Sequence, residues 1–591
     1  MTDTNNPRIN PQKLFDLYFR QEYDRLSEQF LQVLSYFERH THFELLPDTL
    51  YFVNIFTKNF LYLFTQPDYI LSDRHVPRFI QLNLTISNLV AISSLKNTDF
   101  YLEILRNQPR NFAKILTLYS ARNQVKFDRK TLFDANSKLA CLWYSVYCDI
   151  YRSGLVNPIV YQNIKQHLSY EDERLTEFHH VEDVYFGATY IDSNIDRKIK
   201  QKINQAIQNN PLFSQLEIRN HPQPKKLAVI TALWFSQHSV YRTLAGYIES
   251  LQDDYEITLI HLGDTKNYLD IGSFQGIRYI NIQNNSLNLD AIRDNNFTVA
   301  YYPDIGMSAE SIFLSNLRIA PIQISGTGHP VSTFGSKIDY FLSGADVEIT
   351  EKAAENYSER LVLIPGFGAI HKQPNYQIKN PENTSLKFII NCSWFAQKVN
   401  YPLLRCLQEI ATKSEKEILF RFFSGVALLR KNDFLPFQQN VEAMLGKERV
   451  EVVTPKPYQE YMSLMEEGKI CIEAYHFGGS NTVADSLYLR KPTVTWSGKK
   501  WYNRIGAQML RTVGLEELIA NSKKEYIYLI LKLIHDDRYR VQIQEKLQQV
   551  DLSSTVFSSE NKPYFKKAIN FLVANHQQLQ EEKSREAIII S

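Results

Sequence analysis

The chain has 591 residues, of which 44% are hydrophobic and 22% charged, with a formal net charge of +2. That length exceeds what one core supports and suits about three domains. The near-neutral balance gives no bulk reason to expect a nucleic-acid or membrane partner. Cys141, Cys148, Cys392, Cys406 and Cys471 form no C-x-x-C pair, and their apolar settings suit buried thiols in a reducing compartment. The N-terminal MTDTNNPRIN lacks the apolar core of a secretory signal. In the most apolar early window, 50–65, Asn54, Lys58 and Asn59 argue against a spanning helix. A cytoplasmic protein is expected.

Residues 1–175 read as an all-α N-terminal domain. Leu26, Phe30, Val33, Leu34 and Phe37 keep helical spacing, as do Val53, Phe56, Phe60 and Phe64. No glycine precedes Gly154 and no 34-residue repeat is present. Residues 176–222 form a helical connector with a charged helix over about 196–208. From Lys226 strands and helices alternate, which predicts a parallel sheet. Strands are expected at 227–233, 256–262, 277–282, 297–302, 321–325, 339–344 and 360–365, with a helix over about 239–251. This half spans 223–385. A second alternation, 386–591, has strands expected at 387–393, 417–423, 450–455, 470–473 and 493–496. Its last stretch, from 523 to about 578, is helical and is expected to cross back over the first half. Two doubly wound halves imply a cleft at the carboxyl ends of their strands.

The stretch 473–515 carries the sharpest signal. A Gly-Gly turn, Gly478-Gly479, precedes Ser480 at a helix-cap position. A helix then runs to about Arg490, with Asn481 and Asp485 on one face and Val483, Ala484 and Leu487 on the other. Glycines let an anion approach the backbone, and the first helix amides, Ser480 to Thr482, point at it. A carboxylate one turn in can accept hydrogen bonds from a ribose. The combination predicts a site for a nucleoside diphosphate donor. No two aspartates stand two residues apart, so the acidic pair that would hold a divalent ion on a diphosphate is missing and no metal is expected. Phosphate-loop, H-E-x-x-H and Gly-x-Ser-x-Gly motifs are also absent.

GGSNTVAD (478–485) and WYNRIGAQMLRTVGLEELIA (501–520) resemble glycosyltransferase family 41. That family holds O-linked N-acetylglucosamine transferases and the bacterial cytoplasmic N-glycosyltransferases that modify adhesins. QHSVYRT (237–243), YYPDIGM (301–307), NLRIAPIQISGTGHP (316–330) and SERLVLIPGF (358–367) resemble the bacterial N-glycosyltransferases more closely. The resemblance covers about 220–545 in matching order. It implies a GT-B fold of two Rossmann-like halves, α/β in class, behind an all-α domain. It also implies inverting transfer from a UDP-sugar without a metal or other cofactor. The donor is UDP-glucose or UDP-galactose, and the acceptor asparagine in Asn-x-Ser/Thr of an adhesin-like polypeptide. An O-linked transferase, or a weakened homologue serving as a binding module or chaperone, stays open beside it.

By the same resemblance Lys398 contacts the diphosphate, Asp485 the ribose, and Pro455 and Lys456 the uracil. Gly479, Ser480, Asn481, Thr482 and Gln459 complete the donor side. His238 lies beside the reacting centre, where an imidazole orients the acceptor or takes its proton. An amide nitrogen is a poor nucleophile because its lone pair is delocalised, so position and general-base role are separate expectations. Gly328 and His329, in GTGHP, line the cleft, and His476 ranks below them. Three positions depart from the family. Phe395 replaces a small or amide residue, Val426 a glutamine and Gln459 a histidine. A lost contact to a buried ligand group costs about 1–3 kcal/mol.

Overall fold

The computed structural model describes residues 10–39, 47–106, 109–149, 154–263, 269–283, 286–349, 351–379, 386–423 and 431–591. The chain forms two compact units. One is Met1–Gly187 with Phe395–Arg405 and Ser424–Pro455; the other is Ala188–Trp394, Cys406–Phe423 and Lys456–Ser591.

The first unit is mainly helical. Tyr23–Arg39 and Pro47–Phe64 bury the aromatic stripe read from the sequence, with the Phe30 and Phe60 rings edge to face at 5.0 Å. Asn83–Ile92 is buried on almost every side, and Asn88 donates to the Asp433 carboxylate at 2.7 Å. The strand Val450–Val453 also belongs here. This unit holds the turn Ala396–Lys398. Leu155 N donates to Val399 O (3.0 Å) and Tyr401 N to Leu155 O (2.8 Å). Gly154 makes that approach possible: its φ is +75°, and a Cβ would lie 3.0 Å from Ala396 O.

The second unit contains both alternating halves. In the first half β1 (Lys226–Thr231), β2 (Glu256–Leu262), β3 (Gly276–Ile280), β4 (Val299–Tyr302), β5 (Ile322–Ser325), β6 (Tyr340–Gly344) and β7 (Arg360–Ile364) pair in parallel. All seven match runs expected from the sequence, usually trimmed by one or two residues. Leu227 and Val229 face one core and Ala228 and Ile230 the other, because successive side chains of a strand point to opposite faces. In the second half β8 (Phe388–Cys392), β9 (Ile418–Phe423), β10 (Ile470–Ile472), β11 (Thr493–Trp496) and β12 (Ile519–Ala520) lie in the order β9-β8-β10-β11-β12.

The end of the chain returns to the first half. Helix Lys562–Glu582 packs Phe565 on Tyr247, with rings stacked at 4.8 Å, and β13 (Ile588–Ile589) pairs in parallel with β7. The first sheet therefore runs β13-β7-β6-β5-β4-β1-β2-β3. Strand order reverses between β1 and β4, and in the second sheet between β8 and β10. Ligands of open α/β sheets bind at the carboxyl ends of strands beside such points. No described helix is long and apolar enough to cross a membrane, and all five cysteines are buried thiols outside any disulfide.

Candidate functional site

The loop after β10 makes the Gly-Gly turn and feeds helix α1 (Asn481–Tyr488). The turn is built around a carboxylate. Glu473, 4% exposed, accepts from the Gly479 amide at 2.9 Å. A Cβ on Gly478 would lie 2.3 Å from Glu473 Oε1 and 3.0 Å from Tyr502 O, whereas one on Gly479 meets only the Thr482 hydroxyl, at 2.1 Å. The glycine at 478 is thus demanded by an internal carboxylate, and both amides of the turn are already spent, that of Gly478 on Tyr502 O at 3.0 Å. The amides of Ser480, Asn481 and Thr482 have no acceptor among the described residues, so the start of the helix keeps its donors for an anion. Ser393, Trp394, Glu473, Gly479, Thr482 and Ser486 line a small cavity behind this turn.

The Ser480 side chain does not cap the helix. Its hydroxyl is 2.7 Å from His371 Nε2, on the loop after β7. Asn481 donates to Ser239 O at 3.2 Å. Asp485 is 1% exposed and paired with Arg242 (Nη2–Oδ1 2.6 Å, Nη1–Oδ2 3.3 Å), and Oδ1 also accepts from the Tyr458 hydroxyl at 2.8 Å. The Arg242 guanidinium lies 4.8 Å above the Tyr458 ring. Most of α1 is buried, so the Asp485–Arg242 pair is a buried ion pair. Trp501 Nε1 donates to Phe367 O (2.8 Å) and Arg504 Nε to Val347 O (2.6 Å), so loops after β6 and β7 also meet the second half.

His238 caps the helix Ser239–Glu249, its Nδ1 accepting from Val240 N at 3.2 Å. Removal from bulk water holds the ring down to about 4, so it is neutral at pH 7. With Nδ1 accepting, the neutral ring carries its proton on Nε2 and presents a donor there. His329 has the opposite tautomer. Its Nδ1 donates to Ile305 O at 2.6 Å, which leaves the lone pair on Nε2, and burial holds it to about 3. His371, also fully buried, is held to about 3 by desolvation, with the Arg242 charge adding to it. Gly328 packs against the loop after β4, where a Cβ would sit 2.5 Å from Pro303 O. In that loop Asp304, 2% exposed, is raised to about 7 by burial against an opposing hydrogen bond from Thr231.

The remaining candidates lie elsewhere on the chain. Gln459 donates to Asn375 O at 2.6 Å, and exposed Lys456 pairs with Glu460 at 3.5 Å. Pro455 is exposed, and Lys398 is half-buried at the end of its turn in the first unit, where Phe395 is 41% exposed. His476 ring-stacks edge-on with Tyr502 at 5.5 Å. Val426 lies outside the described residues. Sequence reasoning missed Arg242, His371, Tyr458 and Glu473. A signal existed for Arg242, four residues after His238 and so on the same helix face, and for His371, in a Gly-containing loop after a predicted strand.

Two parallel sheets that meet through the loops at the carboxyl ends of their strands, one offering a helix start with free amides, define a GT-B glycosyltransferase. The fold is that of an O-GlcNAc transferase mutant from Thermobaculum terrenum, which aligns over 92% of this chain and 100% of its own with a TM-score of 0.59 at 16% identity. The sequence profile of Glycosyl transferase family 41 matches residues 428–567. The UDP-glucose:protein N-beta-glucosyltransferase of Actinobacillus pleuropneumoniae serotype 5b is 22% identical over 545 residues, 85% of this chain and 86% of its own length. The probable UDP-N-acetylglucosamine–peptide N-acetylglucosaminyltransferase SPINDLY of rice is 26% identical over 255 residues, 41% of this chain and 26% of its own. Over residues 428–567 the chain is similar to glycosyltransferase family 41, and over most of its length to a UDP-glucose:protein N-beta-glucosyltransferase.

Proposed function

We propose that the chain is a protein N-glycosyltransferase. It moves a hexose from UDP-glucose or UDP-galactose to asparagine in Asn-x-Ser/Thr of adhesin-like polypeptides, with inversion, without a metal, in the cytoplasm. The observation that carries this reading is the alignment over about six-sevenths of both chains with a UDP-glucose:protein N-beta-glucosyltransferase. The free amides of residues 480–482 support a diphosphate site. In the proposal Lys398 adds a positive charge to these dipoles as the UDP leaves. A helix terminus alone contributes about 2 kcal/mol at most when partly buried. Ser480, Asn481, Thr482 and Asp485 bind the donor, with Pro455, Lys456 and Gln459 toward the uracil. His238 positions the acceptor, and its Nε2–H makes it a hydrogen-bond donor rather than a ready base.

The test is a sequon peptide incubated with a panel of UDP-sugars, with and without chelator, and read by mass spectrometry. A hexose on asparagine that survives chelation supports the reading; no addition from any UDP-sugar overturns it. A second reading is transfer to serine or threonine, and the modified residue decides between the two. UDP binding without transfer identifies a homologue that keeps the donor site but has lost turnover, as the changes at Phe395, Val426 and Gln459 allow.

A further inference from the structure

Arg242 and Asp485 form the most buried ion pair at the meeting of the two halves, with side chains 12% and 2% exposed. A ribose bound at Asp485 would need the oxygens that Arg242 and Tyr458 now hold. Ribose is neutral, so its hydroxyls cannot compensate the guanidinium they displace. A buried charge left without a partner is strongly destabilising, far more so than an exchange of partners. The one anion that arrives with the ribose is the diphosphate. Its expected seat, the amides of residues 480–482, lies one helical turn, about 5.4 Å, before Asp485. The start of α1 already touches the Arg242 helix, Asn481 donating to Ser239 O at 3.2 Å, and the planar fork of Arg242 suits two phosphate oxygens.

We propose that Arg242 is a diphosphate-binding residue that changes partners: the ribose takes the Asp485 carboxylate and the guanidinium takes the phosphates. This rests on the UDP-sugar reading above. It explains why a cation from the first half is placed on a donor-side carboxylate. It also couples donor binding to the acceptor side, because Arg242 is on the helix that His238 caps, its amide bonded to His238 O at 3.0 Å.

Calorimetry with UDP and with uridine on the full chain tests it. In Arg242→Met uridine should bind at least as tightly as in the wild type, since Asp485 is released. UDP should bind at least tenfold more weakly, so the UDP-to-uridine ratio collapses. Arg242→Lys, which keeps the charge but not the fork, should lose several-fold of that ratio and carries the comparison if the methionine variant does not fold. Asp485→Asn should bind inorganic pyrophosphate several-fold more tightly than the wild type, because its guanidinium is free to take it. An unchanged ratio in a folded Arg242 variant, or unchanged pyrophosphate affinity in Asp485→Asn, overturns the partner exchange. A wild-type protein that binds neither UDP nor uridine overturns the UDP-sugar reading itself.

Discussion

Replacing Asp304 by asparagine should make the protein's stability less sensitive to pH. Asp304 sits in the loop after β4, 2% exposed, and Oδ1 has no hydrogen-bond partner among the described residues. Burial raises its carboxyl from 3.8 to about 7, against the hydrogen bond from Thr231. The unfolded chain ionises this group near pH 4, and the folded chain holds its proton to about 7. Between those values the unfolded state binds fewer protons, so stability falls as pH rises and levels off above 7. At 1.36 kcal/mol per unit the whole cost is about 4 kcal/mol, of which about 3 kcal/mol accrues between pH 5 and 8. Asparagine keeps the shape and cannot ionise. The variant should exceed the wild type by about 1–2 kcal/mol at pH 5 and by about 4 kcal/mol at pH 8, a gap that widens by about 3 kcal/mol. Urea unfolding followed by tryptophan fluorescence reports on this half through buried Trp234. Every other titrating group is common to both proteins and cancels in the difference. Parallel stability profiles from pH 5 to 8 would refute the reasoning, since Asp304 would then be ionised alike in both states.

Lys398→Ala should lower hexose transfer to a sequon peptide by about 10²–10³, the loss seen when one preorganised charge-stabilising group is removed, with its unfolding midpoint unchanged. Gly478→Ala should cost about 1–3 kcal/mol and reduce UDP affinity, because its Cβ meets a carboxylate and a carbonyl. Gly479→Ala should cost less than that in the same denaturation series, since only the Thr482 side chain must turn. Phe565→Ala should destabilise the first half by about 3–5 kcal/mol, read as early loss of Trp234 fluorescence in urea.

The strands were legible because a buried parallel strand is a short apolar run closed by turn residues, and 256–262 is read to the residue. The Gly-Gly turn and its helix were legible for the same kind of local reason. What faced them was not. Periodicity places Asp485 on a helix face but says nothing of the guanidinium opposite it, which comes from a helix 243 residues earlier. Glu473 reads as the end of a strand, and only three-dimensional packing makes it the anion inside the turn. The His238 and His329 tautomers depend on which backbone group each ring meets, Val240 N or Ile305 O. The segment 395–405 reads as the start of the second half by its order in the chain, yet its backbone is bonded to Leu155 in the helical unit.

The strand Ile588–Ile589 and the helix before it have a consequence for how such a chain is made. β7 emerges from the ribosome long before its neighbour β13, and the whole second half is synthesised in between. Until then the first sheet has an unpaired border at β7, and Tyr247 and Tyr301 lack the Phe565 ring that covers them. Closing so distant a contact is slow, and an unpaired strand border invites pairing with another chain. The first half is thus the earlier of the two to begin folding and the later to finish. Premature termination anywhere before 560 would leave a sticky fragment rather than a completed first half.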